Sequence, residues 1–479
     1  MADSKSPPQP KSRFKVIVVG AGPNGLMAAH MLARASIDFV VLEARPTILT
    51  PGSAGGTIVM FPHTQRLFRQ LGIFEATAPV RMPMQAQYLM TAQGRLYASH
   101  DLDGWSTEDH GMGVCFFHRP DLIRVLYETL PAPIRSKILP ARQVMDITPT
   151  DGGVSVVCAD GSVEHGSIVI GADGVHSRVR EIMLTRLPSP PGPSVNSKPP
   201  EFTATYRCLF GYTPTPIPDP AVPFNTVFEL HNNAASGTFF QGPGGSRSWF
   251  LIYQKIPHGP LVSATAPVRN RFTAADCDAF VAKVKDVHIT PGWTIGGVYA
   301  RREWCALTDL HEHYLPVRHG GKGRVVLVGD TVNKQTPQMG HGWNSGVQDT
   351  VVLVNKLRAL LDEDGSPSGE QLEGMCKEYT ETRHELSYHT YKASRQVARA
   401  VAWDGWFAWA LDRWVVPWTG LARRASEALI RPIVTGGYVL NFLEERLLVE
   451  GTVKWTHSST VTSTMPREKW EVGEKEKRG

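Results

Sequence analysis

The chain has 479 residues, 42% of them hydrophobic and 20% charged, and its formal net charge is +5. This length predicts a large hydrophobic core divided between two domains or three. The small charge and the lack of a basic stripe with interleaved aromatic residues argue against a nucleic-acid partner. No stretch of about 18 residues is apolar enough to predict a membrane span. The six cysteines lack metal-ligand spacing, so we expect reduced thiols in a cytoplasmic protein without a metal site.

The polar residues 1–13 predict a disordered tail, and the strongest chemical signal follows at once in residues 14–43. A short apolar strand leads into the turn Gly-Ala-Gly-Pro-Asn-Gly at residues 20–25. A predicted helix over residues 26–35 and a second strand ending at Glu43 complete the unit. Strand, glycine turn, helix, strand and acid in this order are typical of dinucleotide binding.

Each glycine of this turn has its own physical role. Gly20 permits the tight turn, Gly22 lets the backbone approach a pyrophosphate, and Gly25 lets the helix pack on the strand. The diphosphate would lie at the N-terminus of the helix, where free N–H groups favour negative charge. Glu43 would accept hydrogen bonds from a ribose hydroxyl. The alternative is a glycine-rich turn that serves packing alone.

The next segments carry weaker signals. The loop from Arg45 to Gly56 is rich in Pro, Ser, Thr and Gly. Its backbone either lies close to a ligand or is simply mobile. Residues 63–71 predict a short amphipathic helix, and residues 82–113 predict strands and turns.

A second glycine turn follows a second group of strands. The segment Phe-Phe-His-Arg-Pro leads into a predicted helix over residues 121–130, which Asp121 is expected to cap. Residues 143–170 predict strands. The last of them ends in Gly-Ala-Asp-Gly at residues 171–174, where the backbone and Asp173 can meet a cofactor.

A change of composition then predicts a second domain. The Pro/Ser-rich residues 187–200 are the clearest linker in the chain. Residues 203–262 alternate apolar segments with Gly/Pro/Asn turns and predict an antiparallel sheet. A helix over residues 273–284 and a strand over residues 293–299 are expected next.

The third glycine turn follows another short apolar strand, residues 324–328. It starts with Gly329 and Asp330, continues as a loop to Asn344, and precedes a helix predicted by apolar spacings of three and four. This turn again directs a helix N-terminus towards a ligand. Residues 381–401 also predict a helix.

One C-terminal segment contains five tryptophans: Trp403, Trp406, Trp409, Trp414 and Trp418. One interpretation is a helical extension that packs its aromatic side chains on the main body. The other is an amphipathic surface that contacts a membrane or opens to an apolar substrate. The charged residues 467–479 predict a disordered tail.

The three glycine turns in this order resemble the single-component FAD-dependent monooxygenases related to the aromatic hydroxylases. The resemblance covers about residues 14–361. The segments Tyr-Arg-Cys-Leu-Phe-Gly at 206–211 and Gly-Tyr-Val-Leu-Asn-Phe-Leu at 437–443 are similar to one branch, the fungal secondary-metabolite monooxygenases that epoxidise prenyl chains of indole diterpenes and meroterpenoids.

The resemblance implies roles for individual residues. Glu43 would bind the adenosine ribose of FAD, Arg119 would hold the cofactor from its helix, and Asp173 would serve both FAD and the nicotinamide donor. Asp330 would bind the ribityl or pyrophosphate part, and residues 337–344 would lie against the isoalloxazine. The implied cofactor-binding residues are Gly20, Gly22, Gly25, Glu43, Arg45, Gly56, Arg119, Asp173, Asp330, Pro337, Gly342, Trp343 and Asn344.

The candidate catalytic residues are Arg207 and His341. Arg207 lies on a predicted strand beside the flavin, with a surface ion pair as its alternative role. His341 is a titratable group where the family usually has glutamine, and Trp343 is a large ring where it has alanine or glycine. Many branch members also carry a tyrosine that residues 231–240 lack.

The predicted fold class is α/β: a Rossmann-like FAD-binding domain, an interleaved antiparallel-sheet substrate domain and a helical C-terminal extension. The predicted boundaries of the FAD-binding domain are 14–80, 114–186 and 300–400. The substrate domain is predicted over 81–113 and 187–299, the Trp-rich region over 401–460, and a disordered tail over 461–479.

Three functions follow from these patterns. The leading hypothesis is an FAD-dependent monooxygenase that uses NADPH or NADH and O₂ to epoxidise or hydroxylate a bulky apolar natural product. The second is a flavoprotein-fold enzyme that catalyses a non-redox cyclisation or isomerisation, based on His341, Trp343 and the missing tyrosine. The third is a non-catalytic flavin-binding or membrane-associated partner, based on the Trp-rich C-terminal region.

Overall fold

The computed structural model describes residues 14–49, 56–188, 201–242, 247–263, 267–415, 421–445 and 449–461. Numbered in chain order, the strands are β1 Lys15–Val19, β2 Asp38–Leu42, β3 Thr57–Met60, β4 Met82–Pro83, β5 Ala86–Met90, β6 Leu96–Asp101, β7 Cys115–His118, β8 Ile138–Leu139, β9 Val144–Thr150, β10 Gly153–Cys158, β11 Val163–Gly166, β12 Ile168–Gly171, β13 Phe202–Thr213, β14 Thr226–Leu230, β15 Ser236–Gln241, β16 Ser248–Lys255, β17 Leu261–Ser263, β18 Trp304–Tyr314, β19 His319–Gly320, β20 Val325–Leu327 and β21 Asn333–Lys334.

The α-helices are α1 Pro23–Arg34, α2 Pro62–Leu71, α3 Leu102–His110, α4 Arg119–Glu128, α5 Ala132–Arg135, α6 Arg178–Arg186, α7 Ala274–Ala282, α8 Ile295–Ala300, α9 Gly342–Glu363, α10 Gly369–Val401, α11 Trp406–Ala410, α12 Leu421–Leu429 and α13 Arg431–Thr435. The predicted N-terminal tail, most of the linker at 187–200 and nearly all of the C-terminal tail lie outside the described residues.

The first sheet has six strands in the order β19-β20-β12-β1-β2-β8, and all its pairs are parallel except β19–β20. One face of β1 and β2 packs on α1 and α9, and the other packs on α6 and the three-stranded sheet β11-β10-β9. Burial on both faces explains why these strands are unbroken apolar runs. Because β1, β2, β12 and β20 are parallel, their carboxyl ends lie at one edge of the sheet.

The second sheet has nine strands in the order β21-β18-β13-β16-β15-β14-β5-β6, with β17 beside β13. Its pairs are antiparallel except β14–β5. One face packs on α7 and α8, while the other faces β7 and α10. The α/β fold class with an interleaved, largely antiparallel second sheet is therefore confirmed.

The predicted domain boundaries place two strands differently from the sheet pairing. β18 and β21 fall within the segment predicted for the FAD-binding domain, yet β18 pairs with β13 and β21 with β18 in the nine-stranded sheet. β5 and β6 belong to the same sheet, as expected for a substrate domain that includes residues 81–113. The boundaries themselves stay a prediction.

Three local predictions were wrong. Residues 293–299 do not form a strand: α8 occupies Ile295–Ala300, because the hydroxyl of Thr294 accepts a hydrogen bond from the Gly297 amide and starts a helix. Asp121 does not cap α4, which begins at Arg119, where Pro120 suits the first turn. The segment predicted as strands and turns over 82–113 includes helix α3.

The Trp-rich region is helical and presents aromatic rings to solvent. Trp406 is 79% exposed and Trp414 is 56% exposed, whereas Trp403 turns inwards and donates its Nε1–H to Asp412 at 2.8 Å. Trp418 lies outside the described residues. Within the described ranges, no helix combines the length and apolar composition needed to cross a bilayer.

Candidate active site

The three glycine turns meet at the carboxyl edge of the parallel sheet. A Cβ on Gly20 would lie 2.7 Å from the carbonyl oxygen of Ala172, so the first turn touches the second. A Cβ on Gly329 would clash with the side chain of Asn24, so the third turn touches the first. Both glycines have positive φ, +102° and +69°, which L side chains rarely adopt. Only glycine permits these approaches.

A cavity of about 1440 Å³ opens where the turns meet and extends to the inner face of the nine-stranded sheet. Ten of the predicted site residues line it: Gly20, Gly22, Glu43, Arg45, Arg119, Asp173, Asp330, Pro337, Gly342 and Trp343. Gly25 and Gly56 lie behind the wall. A Cβ on Gly25 would clash with the Gly20 carbonyl oxygen, and the Gly56 carbonyl accepts a hydrogen bond from the Arg119 amide at 3.1 Å.

Glu43 is a buried, hydrogen-bonded carboxylate at the end of β2. One oxygen accepts from the Ala21 amide at 2.7 Å, and the other accepts from the amide and Nε of Arg45, each at 2.9 Å. Burial opposes its ionisation, but the hydrogen bonds from Arg45 and Ala21 outweigh burial and lower the pKa of Glu43. The carboxylate is therefore charged at neutral pH and fixes the first turn against the loop that follows β2.

Arg119 supplies a positive charge to the cavity. Burial and the charge of Arg45 lower the pKa of its guanidinium, and the nearby carboxylates of Asp330 and Glu43 counteract that effect. These carboxylates are bound to Lys334 and Arg45, at 2.7 and 2.9 Å. Within the described residues they do not pair with Arg119, which can therefore interact with an anionic group in the cavity.

Asp173 has a structural role in its turn. One carboxylate oxygen accepts from the Ser177 hydroxyl at 2.6 Å, and the other accepts from the amides of Arg178 and Val179 at 2.7 and 3.2 Å. These contacts cap helix α6. Burial raises the pKa of Asp173, while the same hydrogen bonds oppose that shift.

The third turn is tied to β3 by Asn344, which does not line the cavity. Its side-chain oxygen accepts from the Phe61 amide at 3.1 Å, and its nitrogen donates to the carbonyls of Val59 and Gly340 at 2.8 and 3.2 Å. Trp343 packs edge-on against Phe68, with ring centroids 6.0 Å apart, so part of its ring belongs to the core. The first residue of α9, Gly342, faces open space.

Several buried polar atoms on the described part of the cavity wall have no partner. Among the described lining residues, Asn24 Oδ1, both side-chain polar atoms of Gln335, Gln338 Oε1 and Trp343 Nε1 have no hydrogen-bond partner. Such atoms are costly unless a ligand or water satisfies them. A Cβ added to Gly22 or Gly174, which also line the cavity, would contact no atom within 4 Å. The residues present therefore fit a large polar cofactor.

Neither predicted catalytic residue lines the cavity. Arg207 points to the opposite face of its sheet, where Nε donates to Asp309 at 2.7 Å and the guanidinium lies 4.3 Å from the centre of the Phe272 ring. This ion pair matches its alternative role. His341 is fully buried and stacks on Phe61 with ring centroids 3.8 Å apart. Burial lowers the pKa of His341 to about 3, so its ring is neutral at pH 7.

Beyond the glycine turns the cavity becomes an apolar chamber. Its walls come from the inner face of the nine-stranded sheet, from α10 and from the segment before α13, and they include Phe210, Val227, Phe240, Leu251, Val397 and Ile430. The sequence predicted an apolar chamber but not its residues, since strand register decides which of two alternating faces is inward. Gln335 and Glu229 are polar lining residues that no local pattern distinguished.

Comparison with known proteins agrees with this geometry. The family model described as FAD binding domain matches residues 13–193 and 300–393. The chain is 31% identical to the FAD-dependent monooxygenase ausM of Penicillium brasilianum over 436 residues, covering 90% of this chain and 88% of that protein. It is also 31% identical to the FAD-dependent monooxygenase nvfK of Aspergillus novofumigatus, covering 91% and 89%.

A solved structure supports the fold. Klebsiella pneumoniae HpxO complexed with FAD and uric acid superposes with a TM-score of 0.66 at 19% identity, over 88% of this chain and 96% of that one. The glycine turns, the charged residues around them and the adjoining chamber define a flavin-dependent oxidoreductase. The chain belongs to the FAD-dependent monooxygenases, which confirms the predicted family, fold class and cofactor FAD.

Proposed function

We propose that the cavity binds FAD across all three glycine turns. Gly22 and the N-terminus of α1 would receive the diphosphate, Glu43 the ribose, and Arg119 an anionic part of the cofactor. Asp330 and the wall from Pro337 to Gly342 would contact the remainder, and Asp173, which lines the cavity, would contact the cofactor from the second turn. Gly56 and Asn344 would shape the turns without direct contact. The observation that carries this proposal is the convergence of three distant turns on one cavity lined by unsatisfied polar atoms.

A matched pair of glycine variants tests this binding mode. Gly22→Ala adds a methyl group in open space, as does Gly374→Ala on the distant helix α10. Both variants should fold, because neither Cβ meets an atom within 4 Å. Only Gly22→Ala should lose the flavin absorbance of the reconstituted protein. Full FAD content in Gly22→Ala would contradict the proposed position of the diphosphate.

We propose further that NADPH or NADH reduces the cofactor and that the product is an epoxide or alcohol of a bulky apolar natural product. Bound FAD supplies the redox chemistry that activates O₂. The chain excludes water with the apolar chamber and orients the substrate beside the third turn. Support comes from the family and from the apolar chamber that adjoins the glycine turns. Product masses obtained under ¹⁸O₂, with each nicotinamide donor, test the reaction.

A non-redox cyclisation or isomerisation is the second candidate. It was based on His341 and Trp343, but His341 is buried outside the cavity and Trp343 partly packs into the core. Both positions therefore favour the monooxygenase. Turnover under strict anaerobiosis without a nicotinamide donor would support the second candidate instead.

We propose that the protein is cytoplasmic and contacts intracellular membranes peripherally through its Trp-rich region. Trp406, Phe407, Trp409 and Trp414 are exposed on adjacent turns, which suits the interfacial zone of a bilayer. The double variant Trp406→Ser/Phe407→Ser should reduce co-sedimentation with phosphatidylcholine–phosphatidylserine vesicles. Phe224→Ser, which removes an exposed ring elsewhere, is the control. Equal sedimentation of both variants would contradict this contact.

A further inference from the structure

Strands β5, β14, β15 and β16 form part of the chamber wall. Their four polar lining residues are Gln87, Glu229, Thr238 and Tyr253. Thr238 and Tyr253 are within hydrogen-bond distance of each other, at 3.2 Å. Gln87 contacts a ring nitrogen of His100 through its side-chain oxygen at 3.1 Å. Glu229 is the one carboxylate among these four, and Asp309 on β18, which also lines the cavity, is paired with Arg207.

Glu229 is held from outside the chamber by a buried histidine. Its Oε2 is 3.2 Å from Nε2 of His231, whose Nδ1 is 3.0 Å from Oδ2 of Asp412. Asp412 also accepts hydrogen bonds from the Tyr97 hydroxyl at 2.9 Å and from Nε1 of Trp403 at 2.8 Å. Glu229 therefore has a fixed orientation, because its partner is itself held by a second carboxylate.

The histidine between the two carboxylates is charged. Both of its ring nitrogens face a carboxylate oxygen, and only the imidazolium can donate from both. The Tyr97 hydroxyl, which donates to Asp412, also lies 3.1 Å from Nδ1. Burial would lower the pKa of His231, but the hydrogen bonds and charges of Asp412 and Glu229 raise it to about 10. Arg413, the nearby cation on the same segment as Asp412, lies over the Tyr97 ring at 4.9 Å.

Glu229 is the member of this cluster that lines the chamber. His231 is shared between two carboxylates, Glu229 and Asp412, and Asp412 has additional donors in Tyr97 and Trp403. Within the described part of the chain, the side-chain hydrogen bond of Glu229 uses Oε2, so Oε1 is left for the cavity. A carboxylate oxygen facing an apolar space is costly unless a donor reaches it.

We propose that Glu229 determines substrate specificity by accepting a hydrogen bond from a hydroxyl or N–H group of an otherwise apolar substrate. The inference rests on the proposed function, because the proposed function assigns the chamber to the substrate. His231 and Asp412 are positioning residues that hold Glu229 from behind. A substrate without a donor leaves the carboxylate desolvated, so the chamber discriminates against it.

The test compares two probes that differ in one donor, 4-nonylphenol and its O-methyl ether. Their dissociation constants are measured by tryptophan fluorescence on the FAD-reconstituted protein, and FAD content is recorded separately by absorbance. We expect the wild-type protein to bind the phenol roughly tenfold more tightly than the ether. Glu229→Gln should bring the ratio close to one. Glu303→Gln, which changes a half-exposed carboxylate just before β18, should leave it unchanged.

The outcomes separate this inference from the proposed function. Normal FAD content with equal binding of the two probes by the wild-type protein overturns the role of Glu229 and leaves FAD binding intact. An unchanged ratio in folded Glu229→Gln overturns it as well. Failure to bind FAD would contradict the proposed function instead. Asp412→Asn should reduce the ratio partially without changing FAD content, an effect that a merely structural contact would not produce.

Discussion

The buried carboxylate of Asp349 offers the sharpest test of how the third glycine turn is held. Asp349 lies in helix α9 and is completely buried. One oxygen accepts from Arg318 at 2.9 Å and from Arg383 at 2.8 Å. The other accepts from the Gly329 amide at 3.1 Å. This side chain therefore joins two buried cations to the turn that faces the cofactor cavity.

The substitution Asp349→Asn removes the negative charge of this side chain and keeps its shape. Both guanidinium groups would lose their shared anion, and their side chains are 0% and 2% exposed. Burial alone would lower the pKa of Arg318, but the charge of Asp349 raises it above its usual value. Breaking a buried pair by removal of one partner costs about 3–5 kcal/mol. We expect a loss of this size, together with weaker FAD binding because the Gly329 turn loses its support.

Urea unfolding followed by circular dichroism measures the stability, and flavin fluorescence measures FAD affinity. Asp362→Asn is the matched control on the same helix, because Asp362 is 58% exposed and pairs with Arg358 on the surface. That variant should stay within about 0.5 kcal/mol of wild type. If Asp349→Asn unfolds at the same urea concentration as Asp362→Asn, the reasoning is wrong.

Three further variants test other parts of the structure. Gly25→Ala should yield little folded protein in solubility assays, because its Cβ clashes with the Gly20 carbonyl oxygen. Glu43→Gln should fold but bind FAD roughly tenfold more weakly in fluorescence titrations, since charged acceptors form stronger hydrogen bonds. Asp412→Asn should destabilise the protein by roughly 1.5–3 kcal/mol at pH 6.5. Because the pKa of His231 is raised to about 10 in the folded state, its contribution is complete below its usual pKa and lost as pH rises towards 10. Thermal melts should show the Asp412→Asn deficit shrinking over that range, and a constant deficit would contradict a charged His231.

The sequence by itself determined the parts of this protein that depend on local pattern. Gly20 and Gly329 follow short apolar strands and adopt positive φ, which few residues other than glycine allow, so the turns were evident before any contact was known. Glu43 was predicted in the same way from its place at the end of β2. Short apolar runs predicted the strands that are buried on both faces. Apolar spacings of three and four predicted the long helix after Gly342.

Only the tertiary structure decided where side chains point and which distant groups they meet. Arg207 pairs with Asp309, 102 residues away, because strand register turns it from the cavity. Glu229 lines the chamber and meets Asp412, through His231, only because β14 and the Trp-rich segment pack together. His341 was predicted at the flavin but stacks inside the core. Such outcomes depend on the register of paired strands and on contacts between remote segments, and neither is encoded in the residues nearby.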